Sequence, residues 1–305
     1  MLAIVCPGQG SQTPGFLTPW LEIEAFAAAI DEMSSASGID LAKHGTISDA
    51  DTIRDTAIAQ PLIVGAGVAT LAALRAAGLT GFSGVAGHSV GEITAAVASG
   101  IMSPVDGIRF VAKRGSEMAA AAALETTSMA AVLGGDPKEV ADYLATLGLT
   151  PANYNGGGQI VAAGSVDGIA KLQAEPMAGT RVIPLQVAGA FHTKYMAPAV
   201  SALGEYAQGV EVSDPSVTIW SNRDGVAVAS GAEFLSSLVS QVSNPVRWDL
   251  CMESMVAAGV TALIEVAPAG TLVGLAKRSM PGVETLAVKT PDQIEVALSL
   301  LAAHA

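Results

Sequence analysis

Short apolar runs alternate with helical periods along most of this chain, a rhythm that predicts an α/β protein with buried parallel strands. Residues 2–6 are wholly apolar and close on Pro7-Gly8, as a strand covered on both faces does. Residues 20–34 have helical spacing. Residues 56–74 carry no charge between Asp55 and Arg75, and Gly78 follows as a helix-ending glycine. A second apolar run, 83–86, precedes a helical stretch at 92–99. Ser103-Pro104-Val105-Asp106 has the N-cap serine, first-turn proline and early acid of a helix start, and that helix runs past Arg109 and Arg114 to alanines 119–123.

From Ser128 the texture changes. The pattern predicts a strand at 129–133, a helix from Asp136 to near Gly148, strands at 151–154 and 159–163 around Asn155-Gly156-Gly157-Gly158, a helix at 166–174 and a strand at 181–187. The order βαββαβ is that of a ferredoxin-like unit. The expected organisation is a large domain made of 1–126 and 191–305, enclosing a small domain at 127–190. Helices are expected at 196–208, 232–241 and 250–258, a buried strand at 262–266, and a helix start at Thr290-Pro291-Asp292-Gln293.

Composition narrows the function classes. Hydrophobic residues are 50 % of the 305 and charged residues 14 %, with a mean hydropathy of +0.48. The 56–74 stretch nearly reaches the ~20 residues of a membrane span. Gln60, Pro61, Gly65, Gly67 and Thr70 interrupt it and no aromatic belt flanks it, so a helix buried inside the protein is expected, with no membrane insertion. Met1 leads into Leu-Ala-Ile-Val without a basic segment, and Cys6 and Cys251 lie far apart in apolar surroundings. Both features fit a cytoplasmic protein with reduced thiols. Histidines and cysteines lack metal-ligand spacing, so no metal is expected. A net charge of −13, with only 15 Lys and Arg spread along the chain, argues against a nucleic-acid surface. An anionic ligand would have to meet a local cation.

The chemistry concentrates at Gly87-His88-Ser89-Val90-Gly91, between the 83–86 run and the 92–99 helix. A strand, a sharp turn and a helix N-terminus are the setting of a nucleophile elbow. The same residues also read as a capping box, Ser89 with Glu92. A nucleophilic serine needs a base. His88 is its neighbour at a sharp turn, where side chains point apart, His304 sits at the frayed end, and His44 lies in a polar loop. His192, in Gly189-Ala190-Phe191-His192-Thr193 at the return from the inserted unit, is the candidate; a structural histidine is the alternative. No aspartate marks itself as an acid partner, which leaves a Ser–His dyad oriented by a backbone carbonyl. Gly8-Gln9-Gly10-Ser11-Gln12 is open to three readings: a phosphate loop, a plain turn, or a loop placing a backbone N–H beside Ser89.

Taken together, these residues resemble the malonyl-CoA:acyl-carrier-protein transacylases of fatty-acid synthesis, and most closely their actinobacterial members. The resemblance rests on Gly8-Gln9-Gly10-Ser11-Gln12, Gly87-His88-Ser89-Val90-Gly91-Glu92, Lys113-Arg114-Gly115, Asn153-Tyr154-Asn155 with Gly158-Gln159, Ala190-Phe191-His192, and Asn244-Pro245-Val246, in the family's order across nearly the whole chain. It implies an α/β-hydrolase-like large domain with a ferredoxin-like insertion, and malonyl-CoA and an acyl carrier protein as partners, without a cofactor. By the same resemblance Ser89 carries the malonyl ester, His192 is general base and acid, and the N–H groups of Gln9 and Val90 form the oxyanion hole. Arg114 clamps the malonyl carboxylate, the Gln241 carbonyl orients His192, and Gln60 and Gln159 line the acyl site. Phe191 stands where malonyl-selective relatives have phenylalanine and methylmalonyl-selective ones serine; core packing is the other reading of that ring. A serine hydrolase and a non-catalytic carrier-binding module are the rival functions.

Overall fold

The structure, a computed structural model, describes residues 1–304. Its elements, in chain order, are β1 (Leu2–Cys6), α1 (Glu24–Ser37), α2 (Leu41–Thr46), α3 (Thr56–Ala76), β2 (Gly84–Gly87), α4 (Gly91–Ala98) and α5 (Pro104–Leu124). Then come β3 (Thr127–Leu133), α6 (Pro137–Thr146), β4 (Thr150–Gly156), β5 (Gln159–Ser165), α7 (Val166–Ala174) and β6 (Arg181–Leu185). The chain closes with α8 (Ala197–Ala207), β7 (Thr218–Trp220), α9 (Gly231–Gln241), β8 (Val246–Arg247), α10 (Trp248–Ala257), β9 (Ala262–Glu265), α11 (Thr271–Ser279), β10 (Glu284–Ala287) and α12 (Ile294–His304).

The fold is α/β, built on two sheets. The first is parallel throughout, ordered β10-β9-β1-β2-β7. Every residue of β1, β2 and β9 is buried, which is why β1 and β2 read as short unbroken runs without polar alternation and β9 is apolar up to its last residue, Glu265. The second sheet is ordered β6-β3-β5-β4-β8. Its first four strands pair antiparallel and are joined by α6 and α7, the βαββαβ order of a ferredoxin-like unit. The fifth strand, β8, pairs parallel with β4 although it follows sixty residues after the chain has left that unit. A two-residue strand has no periodicity to read, so nothing in the sequence pattern marks it.

Helix α3 is, among the described residues, the one helix long and apolar enough to cross a membrane, and 83 % of its apolar window is buried inside the fold. It packs against α1 and α5, and Asp55 caps it by accepting from the Ala57 N–H at 2.8 Å. Close packing explains its glycines: a Cβ at Gly67 would come within 2.8 Å of the Thr94 methyl carbon on α4. Helix α5 starts as its sequence predicts, with Ser103 Oγ accepting from the Asp106 N–H at 3.0 Å. Its buried stripe of Ile108, Phe110, Val111 and Met118 continues through Arg114, so a cation is held in an otherwise apolar face. These helices and the C-terminal ends of β1 and β2 surround the site.

Candidate active site

Strand β2 ends at Gly87 and α4 begins at Gly91, and the chain reverses within the three residues between. Ser89 pays for this with φ 52°, left-handed backbone that a serine rarely adopts. Both glycines are required by contact: a Cβ at Gly87 would lie 2.0 Å from the Gly91 carbonyl carbon, and one at Gly91 2.1 Å from the Cys6 oxygen. The turn aims Ser89 Oγ away from the helix, so the capping box does not form. The N-cap of α4 is Val90, without a side-chain cap.

Instead, Ser89 Oγ lies 2.7 Å from His192 Nε2. His192 also has left-handed backbone, φ 61°, and its N–H donates to the Val242 carbonyl at 3.1 Å. Its Nδ1 lies 2.8 Å from the Gln241 carbonyl. A carbonyl only accepts, so Nδ1 carries the ring proton and Nε2 faces the serine hydroxyl with a lone pair. Burial, reinforced by the Arg114 charge, pulls the His192 pKa down to about 3, so the ring is a neutral base at physiological pH.

Arg114 is 1 % exposed. Its Nη1 donates to Gln60 Oε1 at 2.7 Å, its Nη2 to Gln241 Oε1 at 2.9 Å, and Nη2 stands 3.5 Å from Ser89 Oγ. Its Nε has no partner, and no carboxylate among the described residues forms an ion pair with it. Burial lowers its pKa to about 10, which leaves it cationic. A buried guanidinium held by neutral amides is a site prepared for an anion. Glu92 is the nearest buried acid. It accepts from the Asn222 N–H at 2.6 Å and from Gln241 Nε2, and burial pushes its pKa up to about 8.

Ser89, His192, Gln9, Gln60, Gln159 and Phe191 share the wall of one cavity of about 310 Å³. Arg114 and Gln241 sit behind that wall and reach it through Ser89, Gln60 and His192. Gln60 Nε2 lies 3.5 Å from Gln9 Oε1 and 3.3 Å from Met118 Sδ. Gln159 is more remote, its Oε1 only 3.5 Å from Asn155 Nδ2. The backbone N–H groups of Gln9 and Val90 donate to no other group among the described residues. The remaining histidines are occupied elsewhere: His88 Nε2 with Asn155 Oδ1 (2.8 Å), His44 with Ser48, His304 with Glu284.

Comparison with known proteins decides the family. The family model for the acyl transferase domain matches residues 3–291. The chain belongs to the acyl transferase domain family. It is 48 % identical over 297 residues to the malonyl CoA-acyl carrier protein transacylase of Mycobacterium tuberculosis, covering 97 % of this chain and 98 % of the relative. The crystal structure of the MCAT from that organism superposes with a TM-score of 0.94 at 48 % identity, over 97 % of this chain and 99 % of that one. A malonyl-transacylase solved with its holo type II PKS acyl-carrier protein superposes with a TM-score of 0.94 at 29 % identity, over 98 % of this chain and 99 % of that one.

An acyl transferase needs a nucleophile, a base and a way to hold its acyl group, and Ser89, His192 and Arg114 are the candidates for these roles. Three polar features escaped the sequence reading: buried Asn222, buried Glu92 as a network acid, and the His88–Asn155 pair that ties the elbow to β4. Glu92 left one trace, as the only charge in the apolar stretch Gly91–Ala98. Asn222, in the turn-like run Ser221-Asn222-Arg223-Asp224-Gly225, left none.

Proposed function

We propose that this acyltransferase moves a malonyl group from malonyl-CoA to the phosphopantetheine thiol of an acyl carrier protein through a malonyl-Ser89 ester, supplying extender units for fatty-acid synthesis. The observation that carries the choice of acyl group is Arg114, buried, without an ion pair, and 3.5 Å from Ser89 Oγ. An esterase acting on uncharged acyl groups has no use for such a cation.

In the reaction, Ser89 Oγ attacks the thioester carbonyl as its proton passes to His192 Nε2. The Gln241 carbonyl stabilises the imidazolium through Nδ1–H. The N–H groups of Gln9 and Val90, which donate to no other group among the described residues, receive the oxyanion in this reading. Collapse breaks the C–S bond, and His192 returns its proton to the departing CoA sulfur. The carrier thiol then gives its proton to His192, attacks the Ser89 ester, and the serine regains the proton as the malonyl thioester leaves. Arg114 holds the malonyl carboxylate throughout, and Gln60 and Gln159 border the acyl group. The Phe191 ring in the cavity wall disfavours an α-methyl group, a discrimination on the order of 1–3 kcal/mol. We place the large domain at 1–126 and 191–305, the small domain at 127–190, and the enzyme in the cytoplasm.

The test is intact-protein mass spectrometry after exposure to malonyl-CoA. One malonyl adduct on Ser89, discharged by a holo acyl carrier protein faster than by water, is the expected result. Discharge by water alone at the same rate would make the protein a hydrolase.

A further inference from the structure

Strands β2 and β7 pair in parallel only as far as Ala86 and Trp220; beyond that β2 runs into the elbow and β7 into a turn. The side chain of Asn222 continues the pairing where the main chains part. Its Nδ2 donates to the Gly87 carbonyl at 2.8 Å, and its Oδ1 accepts from the Ser89 N–H at 2.8 Å. These are the peptide groups on either side of His88, so one carboxamide grips the elbow by both ends. It is itself immobilised. Asn222 is 0 % exposed. Its backbone N–H donates to Glu92 Oε1 at 2.6 Å, its carbonyl accepts from the Arg247 N–H at 2.8 Å, and Gln241 Nε2 reaches its Oδ1 at 3.2 Å.

Two consequences follow from this grip. Left-handed backbone at a serine costs about 1 kcal/mol or more and persists only where neighbours enforce it. The Asn222 bond to the Ser89 N–H opposes relaxation of that residue. The same bond occupies the Ser89 N–H, while the Val90 N–H next to it stays free. The amide that can meet an oxyanion is thereby selected.

We propose that Asn222 is a positioning residue for the nucleophile: its carboxamide holds Ser89 in the reactive backbone conformation and leaves Val90 N–H as the oxyanion donor of the elbow. The inference rests on the reading of Ser89 as nucleophile, and acts on rate rather than on substrate affinity.

The test compares wild type with N222A and N222D. Three readouts are needed: the single-turnover rate of Ser89 acylation by malonyl-CoA, the affinity of malonyl-CoA measured in an added S89A background, and labelling of Ser89 by a fluorophosphonate, which needs no malonyl recognition. N222A should acylate and label about 100-fold more slowly, with malonyl-CoA affinity changed by no more than about threefold. N222D retains the shape and the acceptor, and its introduced carboxyl group can replace the lost donor only when protonated. The titratable groups in contact with it, Glu92 and Cys251, and the cations acting on Glu92, Arg114 and Arg223, are common to both proteins. Its rate relative to wild type should therefore fall by about tenfold or more between about pH 5.5 and pH 9. Acylation of folded N222A within threefold of wild type would overturn the proposal, as would parallel losses of rate and affinity. Should N222A not fold, a pH-independent N222D ratio near one overturns it. A wild-type serine that labels with fluorophosphonate but takes no malonyl group would sink the functional reading and leave the positioning role standing on the labelling data.

Discussion

At the scale of single residues, the site is a set of opposed desolvation effects that can be measured separately. In the proposed mechanism Ser89 and His192 act as one unit, so S89A should abolish the malonyl adduct and H192A should slow its formation by at least about 1,000-fold, read as single-turnover rate. A malonylated S89A protein would remove Ser89 from the mechanism. Arg114→Ala takes away the cation beside Ser89 Oγ. It should cost on the order of 2–5 kcal/mol in kcat/KM for malonyl-CoA and reduce the preference for malonyl over acetyl donors; an unchanged preference would take Arg114 out of acyl recognition. His192 also couples the site to pH. Its folded pKa, about 3, lies below the 6.5 of a free imidazole, so between those values the unfolded chain binds a proton that the folded chain refuses. Stability from this group is present above pH 6.5 and drains away as pH falls. Glu92, raised to about 8, has the opposite sign: it binds its proton more tightly when folded and contributes less as pH rises from 4.5 to 8. H192Q should therefore gain thermal stability relative to wild type as pH drops from about 7 to 4, by up to a few kcal/mol, and a constant difference in Tm would contradict the buried neutral ring. The dyad was legible because a nucleophile at a tight turn forces glycines into its own neighbourhood. Asn222 was not, since its partners lie 133 and 135 residues away and amide bonds across that distance impose no local pattern.

At the scale of elements, the buried strands and the capped helices were the readable part, and the failures share a cause. Strand β1, and β9 as far as Ile264, are apolar because both their faces are covered, and α3, α5 and α7 carry their caps in sequence as Asp55, Ser103 and Ser165. Helices α2 and α11, with β7, β8 and β10, were absent from the reading; α2 has six residues and β8 two, too few for a period to develop. Helix α11 begins after Gly270 at φ 130° without a side-chain cap of its own. Its cap comes from Glu265, which accepts from the N–H groups of Gly270, Leu272 and Val273 at 2.9 Å each. Glycines within elements separate two kinds of constraint. Gly91→Ala drives a Cβ into the Cys6 carbonyl at 2.1 Å, whereas a Cβ at Gly274 in α11 meets nothing within 4 Å. Gly91→Ala should lower stability by about 3 kcal/mol or more through backbone displacement at the elbow, and Gly274→Ala should raise it by about 0.5–1 kcal/mol. Denaturant unfolding of both variants checks the pair, and equal effects of either sign would refute the assigned contacts.

At the scale of the whole molecule, charge poses the remaining problem, because a chain of net charge −13 must receive an acidic carrier protein at the mouth of its cavity. Helix α11 is placed to solve it. Thr271, Leu272 and Leu275 form part of the cavity wall, and the last turn of the same helix carries Lys277 and Arg278, both exposed. Arg278 packs against the β4–β5 turn, where a Cβ at Gly157 would lie 3.1 Å from its own Cβ, so the pair stands where the two sheets meet beside the opening. Neither residue makes an ion pair among the described residues. Lys194, exposed two residues after His192, is a second local cation. Basic residues in a last turn also favour the helix dipole, by about 0.3–1 kcal/mol each, so charge reversal carries a stability cost that has to be measured alongside. The double variant K277E/R278E should raise the KM for the carrier protein by about tenfold, the scale on which complementary charge governs encounter. It should leave the rate of Ser89 acylation by malonyl-CoA, a half-reaction that does not involve the carrier, within about twofold once stability is matched by temperature. Salt should raise the wild-type carrier KM and not that of the variant, since charges at the surface are screened over about 10 Å at 0.1 M. A carrier KM that ignores both the reversal and the salt would place the docking surface elsewhere, with Lys194 the next residue to reverse.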